Sequence, residues 1–258
     1  ILVLDEGIPG RVVRIGPRLG GVTVRDRRVV AGAGAGLGRL AGAARDAGLT
    51  GLEFLAGIPG TVGGAVAVNA GAHGRAVADR LRRITVVDRA GDCHVKGPEE
   101  LEFAYRSSNV GARGWIVAEA EFGLDHGDPA SIGRTMEEYL RKRRQTQPLN
   151  LPSAGSVFKN PPGAPPAGWL VEMAGGKGLR VGGAMVSPVH ANFVVNTGGA
   201  TARDVLTLIE RVRELVYRRF GVHLALEVQV LGGRRGAGEE MCRDWSSKAA
   251  GASGEPSA

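Results

Sequence analysis

A chain of 258 residues with 43% hydrophobic content holds enough apolar material for one large globular domain or two ordinary ones. Its net charge of +7 fits anionic partners, but aromatics are only 5% and no basic run is interleaved with stacking residues, which sets nucleic acid aside. No apolar run approaches the roughly 18 residues of a membrane helix, no secretory pattern is visible, and Cys93 and Cys242 lack metal-ligand spacing, so the expectation is a reduced, cytoplasmic protein with no metal.

In chain order, Ile1–Leu4 reads as a buried strand. It opens without a polar lead-in, and preceding sequence is expected to be missing. Short strands are expected at 11–15, 22–25 and 28–31, joined by Gly and Pro turns. A helix over 37–47 follows from Leu37, Leu40, Ala41 and Ala44, with Gly48 as its stop. Strands are expected at 83–88 and 115–122. Asp128-Pro129 opens a second helix, Asp as cap and Pro at the first helical position, with Ile132, Met136, Tyr139 and Leu140 on one face. It ends in the basic run 141–144. Residues 149–199 read as loops around short elements. Thr201 and Asp204 resemble a capping box before an amphipathic helix that ends at Gly221. A strand over 222–230 then alternates apolar and polar residues. The architecture implied is α+β with two domains. Residues 233–258 read as a disordered tail.

Glycine is the compositional outlier: 42 of 258 residues, about twice the usual share of roughly 7%. It concentrates at Gly57–Gly74, where six of eighteen residues are glycine and most others are small. Such a run lets backbone N–H groups approach a pyrophosphate. It also describes a tightly packed turn region without a ligand. Arg106, beside Tyr105, can pair with a carboxylate or phosphate, or form a surface salt bridge. Ser156, in the Pro-bounded loop 147–161, is a nucleophile, a proton donor or a turn serine, and no Gly-x-Ser-x-Gly elbow surrounds it. Glu227 sits on the polar face of the last strand.

Five stretches taken together are similar to the UDP-N-acetylenolpyruvoylglucosamine reductase family. They are GLEFLAGIPGTVGGAVAVNAGAHG (51–74), YRSSN (105–109), KRRQTQPLNLPSAGSVFKNP (142–161), AGWLVEMAGGKGLRVGGAMVSPVHANFVVN (167–196) and LEVQVLG (226–232). The layout resembles the shorter type, without a substrate-capping insertion. The resemblance implies an FAD-binding domain of the vanillyl-alcohol-oxidase (PCMH) type at 1–125 and an α+β substrate-binding domain at 126–232. It implies FAD as cofactor and NADPH as reductant. The reaction implied is reduction of UDP-N-acetylglucosamine enolpyruvate to UDP-N-acetylmuramate in peptidoglycan synthesis, by a monomer with no membrane partner. In that family, flavin N5 gives hydride to C3 of the enolpyruvyl ether and a serine protonates C2, while an arginine and a glutamate stabilise the intermediate. By motif these roles fall on Ser156, Arg106 and Glu227. Cofactor contacts fall on Gly57, Gly60, Thr61, Gly63, Gly64, Asn69, Gly71 and Gly74. Substrate contacts fall on Tyr105, Arg143, Arg144, Lys159 and Asn160. His73 and Gly176 stand where Tyr and Leu are common. The family's Gly-Ser-Asn loop, which contacts the FAD pyrophosphate, normally precedes the strand matching Ile1–Leu4. An FAD-deficient product that only binds nucleotide-sugar is therefore the alternative. An FAD oxidase of the same superfamily would lack SAGSVFKNP.

Overall fold

The structure is a computed structural model that describes residues 1–233; the tail expected beyond Gly233, and Cys242 with it, lie outside the described residues. The chain packs as two compact units. One is Val13–Gln145; the other joins Ile1–Val12 to the chain from Thr146 onward.

The first unit is built on a five-stranded antiparallel sheet in the order Val22–Arg25, Arg28–Gly32, Ile116–Gly123, Leu81–Val87, Cys93–Lys96. Alternation sends Val29, Ala31, Ile84, Val86, Ala120 and Phe122 to one face, all essentially inaccessible to solvent. Helix α1 (Leu37–Asp46) buries the expected Leu37, Leu40, Ala41 and Ala44 against that core. Its Ala47 is the cap and Gly48 turns at φ +67°, a conformation glycine adopts without a Cβ clash. A short helix α2 (Val62–Ala67) lies inside the Gly-rich run, where the sequence offered only turns. Its first two amides donate to Ala35 and Ala33. The apolar stripe of helix α3 (Pro129–Thr146) places Ile132 and Met136 in the same core. Asp128 caps it, accepting from the Ser131 amide at 2.9 Å.

In the second unit, a four-stranded antiparallel sheet runs Ser153–Ser156, Phe193–Asn196, Ala184–Val186, Arg180–Val181. Helix α4 (Ala167–Met173) and helix α5 (Ala202–Phe220) pack with it around Leu170, Val186, Leu208, Ile209, Val212 and Val216. Each such aliphatic side chain contributes roughly 1.5–3 kcal/mol on burial. Thr201 and Asp204 form the expected reciprocal cap at 3.0 Å each way, and Gly221 ends the helix at φ +66°. Asp5 adds a second N-terminal cap, accepting from the Ala202 amide.

Three strand expectations are corrected. Residues 11–15 form no strand. Val12 and Val13 are 70% and 83% exposed, and β-branched residues with no ladder partner stay irregular. At the start only Leu2–Val3 is a strand, paired in parallel with Val230–Leu231, and Ile1 is exposed rather than buried. The segment 222–230 is extended but forms no continuous strand. It makes one bridge, Leu226 to Phe158, before Val230 joins the first strand, and Arg213 steadies it, its buried Nε donating to the Leu224 carbonyl at 3.1 Å. No helix among the described residues is long and apolar enough to cross a membrane.

Adjacent glycines in α2 separate two packing regimes. A Cβ on Gly63 would lie 2.8 Å from the Ala33 Cβ, whereas one on Gly64 would meet nothing closer than 3.9 Å. Gly63→Ala is expected to destabilise the cofactor-free protein by about 1–3 kcal/mol through overpacking. Gly64→Ala is expected to stabilise it by roughly 0.5–1 kcal/mol through helix propensity. Urea denaturation of both variants checks the sign.

Candidate functional site

The Gly57–Gly74 segment divides into an open half and a closed half. In the open half, Gly60 sits at φ +138° with no heavy atom within 4 Å of where a Cβ would be, and Gly64 is solvent-exposed on α2. Thr61 is the N-cap residue of α2, yet its side chain makes no capping bond. Gly57 faces helix α3: a Cβ there would lie 3.1 Å from Arg143 Cδ and 3.6 Å from Leu140 Cδ2. Half-burial pulls the Arg143 pKa below its usual value, and no carboxylate among the described residues pairs with it. A partly desolvated guanidinium beside the glycine that opens this run fits an anionic ligand, because it lacks the protein counter-charge that burial ordinarily demands.

The closed half is gripped by the protein itself. Asn69 is 7% exposed, at φ +45°, with both amide atoms engaged: Nδ2 donates to the Ala104 carbonyl at 3.0 Å and Oδ1 accepts from the Ala78 amide at 3.1 Å. Gly71 has no room for a side chain, since a Cβ would overlap the Arg75 carbonyl and lie 3.1 Å from Arg106 Nη1. His73 stacks on Tyr139 of α3 at 3.7 Å with the planes within 5°. Burial, aided by Lys142 and opposed by Glu138, holds His73 below its ordinary pKa. Gly74, at φ +75°, closes the small hairpin Gly71–Ala72 with Arg75–Ala76.

Arg106 occupies the tip of a second hairpin, Phe103–Ala104 with Ser107–Ser108, whose two-residue turn is Tyr105-Arg106. Arg106 has φ +55°, a left-handed conformation that costs a non-glycine residue roughly 1–2 kcal/mol. Strain of this kind survives where surrounding contacts over-determine it. Here they are the Asn69 bond to Ala104 and the Ser108 hydroxyl, which donates to the Ala67 carbonyl at 2.7 Å. The guanidinium lies over the half-exposed Tyr105 ring at 5.2 Å.

In the other unit, Ser156 ends its strand opposite Phe193, directly after Gly155 at φ +84°. Glu227 lies alongside: its amide donates to the Val157 carbonyl at 2.8 Å, and Lys159 donates from its amide to the Ala225 carbonyl at 2.9 Å. Ser156 and Glu227 are thus carried on adjacent extended segments, and both are half-buried. Asn192, 5% exposed, locks this junction. Its Oδ1 accepts from the Phe158 amide, its Nδ2 donates to the Phe158 carbonyl, and its carbonyl accepts from the Val157 amide, all at 2.8–2.9 Å. The sequence reading overlooked Asn192. The available signal was a lone carboxamide at the head of the apolar run Phe193-Val-Val195.

The remaining candidates divide. Arg144 is exposed and Lys159 half-buried. Asn160 spends its Oδ1 on the Ala167 amide at 3.0 Å, capping α4. A cavity of about 660 Å³ lined by Leu4, Asp5, Thr201, Leu206 and Glu210 among others contains none of the candidate catalytic, cofactor or substrate residues. No cluster of metal-ligating side chains exists among the described residues.

His190 supports the Asn192 junction from behind: its Nδ1 accepts from the Asn192 amide at 3.2 Å, a bond that needs a neutral ring. Burial, then Lys177, hold its pKa below the ordinary value against Glu172 and the backbone. The unfolded chain therefore takes up the proton first as pH falls. The stabilisation is intact above about 6.5 and is lost as pH drops through the lower folded value. The urea midpoint is expected to fall on acidification in that range, and His190→Leu to remove this part of the slope.

Residues 6–96 match the family model described as an FAD binding domain, and residues 147–231 match the C-terminal domain of UDP-N-acetylenolpyruvoylglucosamine reductase. The chain is 49% identical over 232 residues to the UDP-N-acetylenolpyruvoylglucosamine reductase of Heliobacterium modesticaldum, covering 90% of this chain and 74% of that protein. It is likewise 49% identical to reductase 2 of Symbiobacterium thermophilum, covering 90% and 75%. The crystal structure of the reductase from Thermus caldophilus superposes with a TM-score of 0.77 at 44% identity, over 89% of this chain and 81% of that one. On the α+β fold, the FAD-binding domain and this similarity along nine-tenths of its length, the chain belongs to the UDP-N-acetylenolpyruvoylglucosamine reductase family.

Proposed function

We propose that this chain is an FAD-dependent oxidoreductase of peptidoglycan synthesis that reduces UDP-N-acetylglucosamine enolpyruvate to UDP-N-acetylmuramate with NADPH. The observation that carries the reading is the presence of Arg106 on a strained, braced hairpin, and of Ser156 and Glu227 on adjacent segments, in a chain of this family. Bound FAD, once reduced by NADPH, supplies the hydride that adds to C3 of the enolpyruvyl group. Exposed backbone at Gly60 and Gly64, the Thr61 hydroxyl and the Arg143 guanidinium beside Gly57 are the groups suited to hold that anionic cofactor. Arg143, expected from the resemblance as a substrate contact, is taken here as a cofactor candidate, a reading its proximity to Gly57 supports. Arg144, Lys159 and Tyr105 remain candidates for the substrate's diphosphate and carboxylate.

Addition at C3 pushes an electron pair onto C2 and the carboxylate. Arg106 meets that charge with a planar fork that stays cationic at any working pH. Glu227 is assigned, with Arg106, to stabilising the same intermediate. Ser156 gives its hydroxyl proton to C2 and regains one from solvent, so that one hydride and one proton have added across the double bond. A serine hydroxyl is a weak acid, and rigid placement is what the protein can add. The junction held by Asn192 provides it one residue downstream of Ser156.

The test is purified protein reconstituted with FAD, in which NADPH oxidation must depend on the enolpyruvyl sugar. Arg106→Ala is expected to lower kcat by about 10²–10³-fold and Ser156→Ala by roughly 10²–10⁴-fold. NADPH consumption that ignores the enolpyruvyl sugar, or full turnover in Ser156→Ala, would overturn the reading.

A further inference from the structure

We infer that Asn69 is a positioning residue for Arg106, and that the closed half of the Gly-rich segment serves the arginine rather than the cofactor. The inference rests on the catalytic reading of Arg106 given above.

Three contacts join the hairpin of Arg106 to residues 67–71. Asn69 Nδ2 donates to the carbonyl of Ala104, the residue that pairs with Ser107 across the turn. From the hairpin's other strand, the Ser108 hydroxyl donates to the Ala67 carbonyl at the end of α2. Gly71 lies beneath the guanidinium, with room for a hydrogen but not for a methyl group. Both strands of the hairpin and the side chain at its tip are therefore registered against five consecutive residues.

Asn69 suits this task and is poorly placed for a ligand. Its side chain is buried, and each end of its amide already has a protein partner. Its φ of +45° lies in the left-handed region, which asparagine tolerates better than most residues. That turn aims the amide at Ala104 while Oδ1 holds Ala78 at the start of the next segment. Of the glycines that remain open, Gly60 and Gly64 lie upstream of this anchor, and Gly74 lies beyond it at the turn of the hairpin 71–76. The stretch 67–71 between these open glycines is the mount for a cation.

Asn69→Gly keeps the backbone conformation free of strain and removes the anchor. Asn69→Asp keeps an acceptor for Ala78 but sets a carboxylate oxygen against the Ala104 carbonyl in place of the donor, which provides a second route should the first variant fold poorly. FAD affinity, read by fluorescence quenching on titrating cofactor-free protein, is expected to stay within about twofold. In the holoenzyme, stopped-flow reduction of FAD by NADPH is expected to be unchanged, while reoxidation by the enolpyruvyl sugar slows by about tenfold or more, as a small misplacement of a reacting group allows. In an Arg106→Ala background, the Asn69 substitution is expected to add nothing further. A tenfold loss of FAD affinity with normal reoxidation would make Asn69 a cofactor residue and overturn the inference. Equal slowing in the presence and absence of Arg106 would reduce it to a general structural residue. Normal reoxidation in Arg106→Ala alone would remove the catalytic reading of Arg106, and this inference with it.

Discussion

The buried carboxamide of Asn69 is the contact on which the rest of the first unit's site depends. An amide removed from water costs about 1–3 kcal/mol for each end left unpaired. Asn69 avoids that cost only while Ala104 and Ala78 are both in place. The arrangement is all-or-none at short range. If the hairpin slips by one residue, the donor loses Ala104 and the Arg106 side chain moves to the other face of the ribbon. Left-handed geometry at Asn69 and at Arg106 raises the local energy, and the paired amide confines it to one conformation. The five-stranded sheet supplies a rigid floor, and Gly63 sits close enough to Ala33 that α2 cannot drift along it.

The second unit uses the same device independently. Asn192 satisfies both backbone groups of Phe158 where the strand carrying Ser156 leaves the sheet and the ladder would otherwise stop. Only five polar or charged residues are buried among the described residues, Asn69, Glu121, Ser187, Asn192 and Arg213. Two of the five are asparagines that pin backbone beside a proposed reacting residue. Ser187 turns the loop behind Asn192 by accepting from the Val189 amide, and Arg213 fixes the carbonyl of Leu224 three residues before Glu227. Four of these five buried polar residues therefore brace segments next to the proposed reacting residues, whereas Glu121 pairs with Arg28 and Arg83 in the five-stranded sheet.

The reach of each signal along the chain explains what the sequence revealed and what it hid. Helices α1, α3 and α5 were legible because their signals are local: 3–4 spacing of apolar residues, Asp128 before Pro129, and the Thr201–Asp204 pair. The helix within 62–67 was hidden because its two glycines argue against helix on propensity, and packing against Ala33 outweighs that preference. The sheet formed by 153–156, 180–181, 184–186 and 193–196 was hidden because its strands are two to four residues long and interrupted by glycine and proline. The 222–230 segment misled in the opposite direction. Its alternation is real, with Leu224 and Val228 buried and Ala225 and Gln229 exposed, but alternation reports which face is dry and not whether a ladder exists.

For the glycines, composition marked the region and only three-dimensional surroundings could divide it. Gly60, Gly63, Gly64 and Gly71 look equivalent in a string of small residues. In space, Gly60 and Gly64 offer backbone to solvent, Gly63 answers to Ala33, and Gly71 answers to Arg75 and Arg106. Helix α3 then holds the segment at both ends, Leu140 and Arg143 on Gly57 and Tyr139 on His73. A segment fixed at its ends and anchored near its middle by a buried asparagine cannot be a floppy phosphate loop. Its small residues serve close approach more than flexibility. The open glycines offer backbone to solvent, while the stretch around Asn69 packs against the hairpin whose tip holds Arg106 in a left-handed backbone conformation.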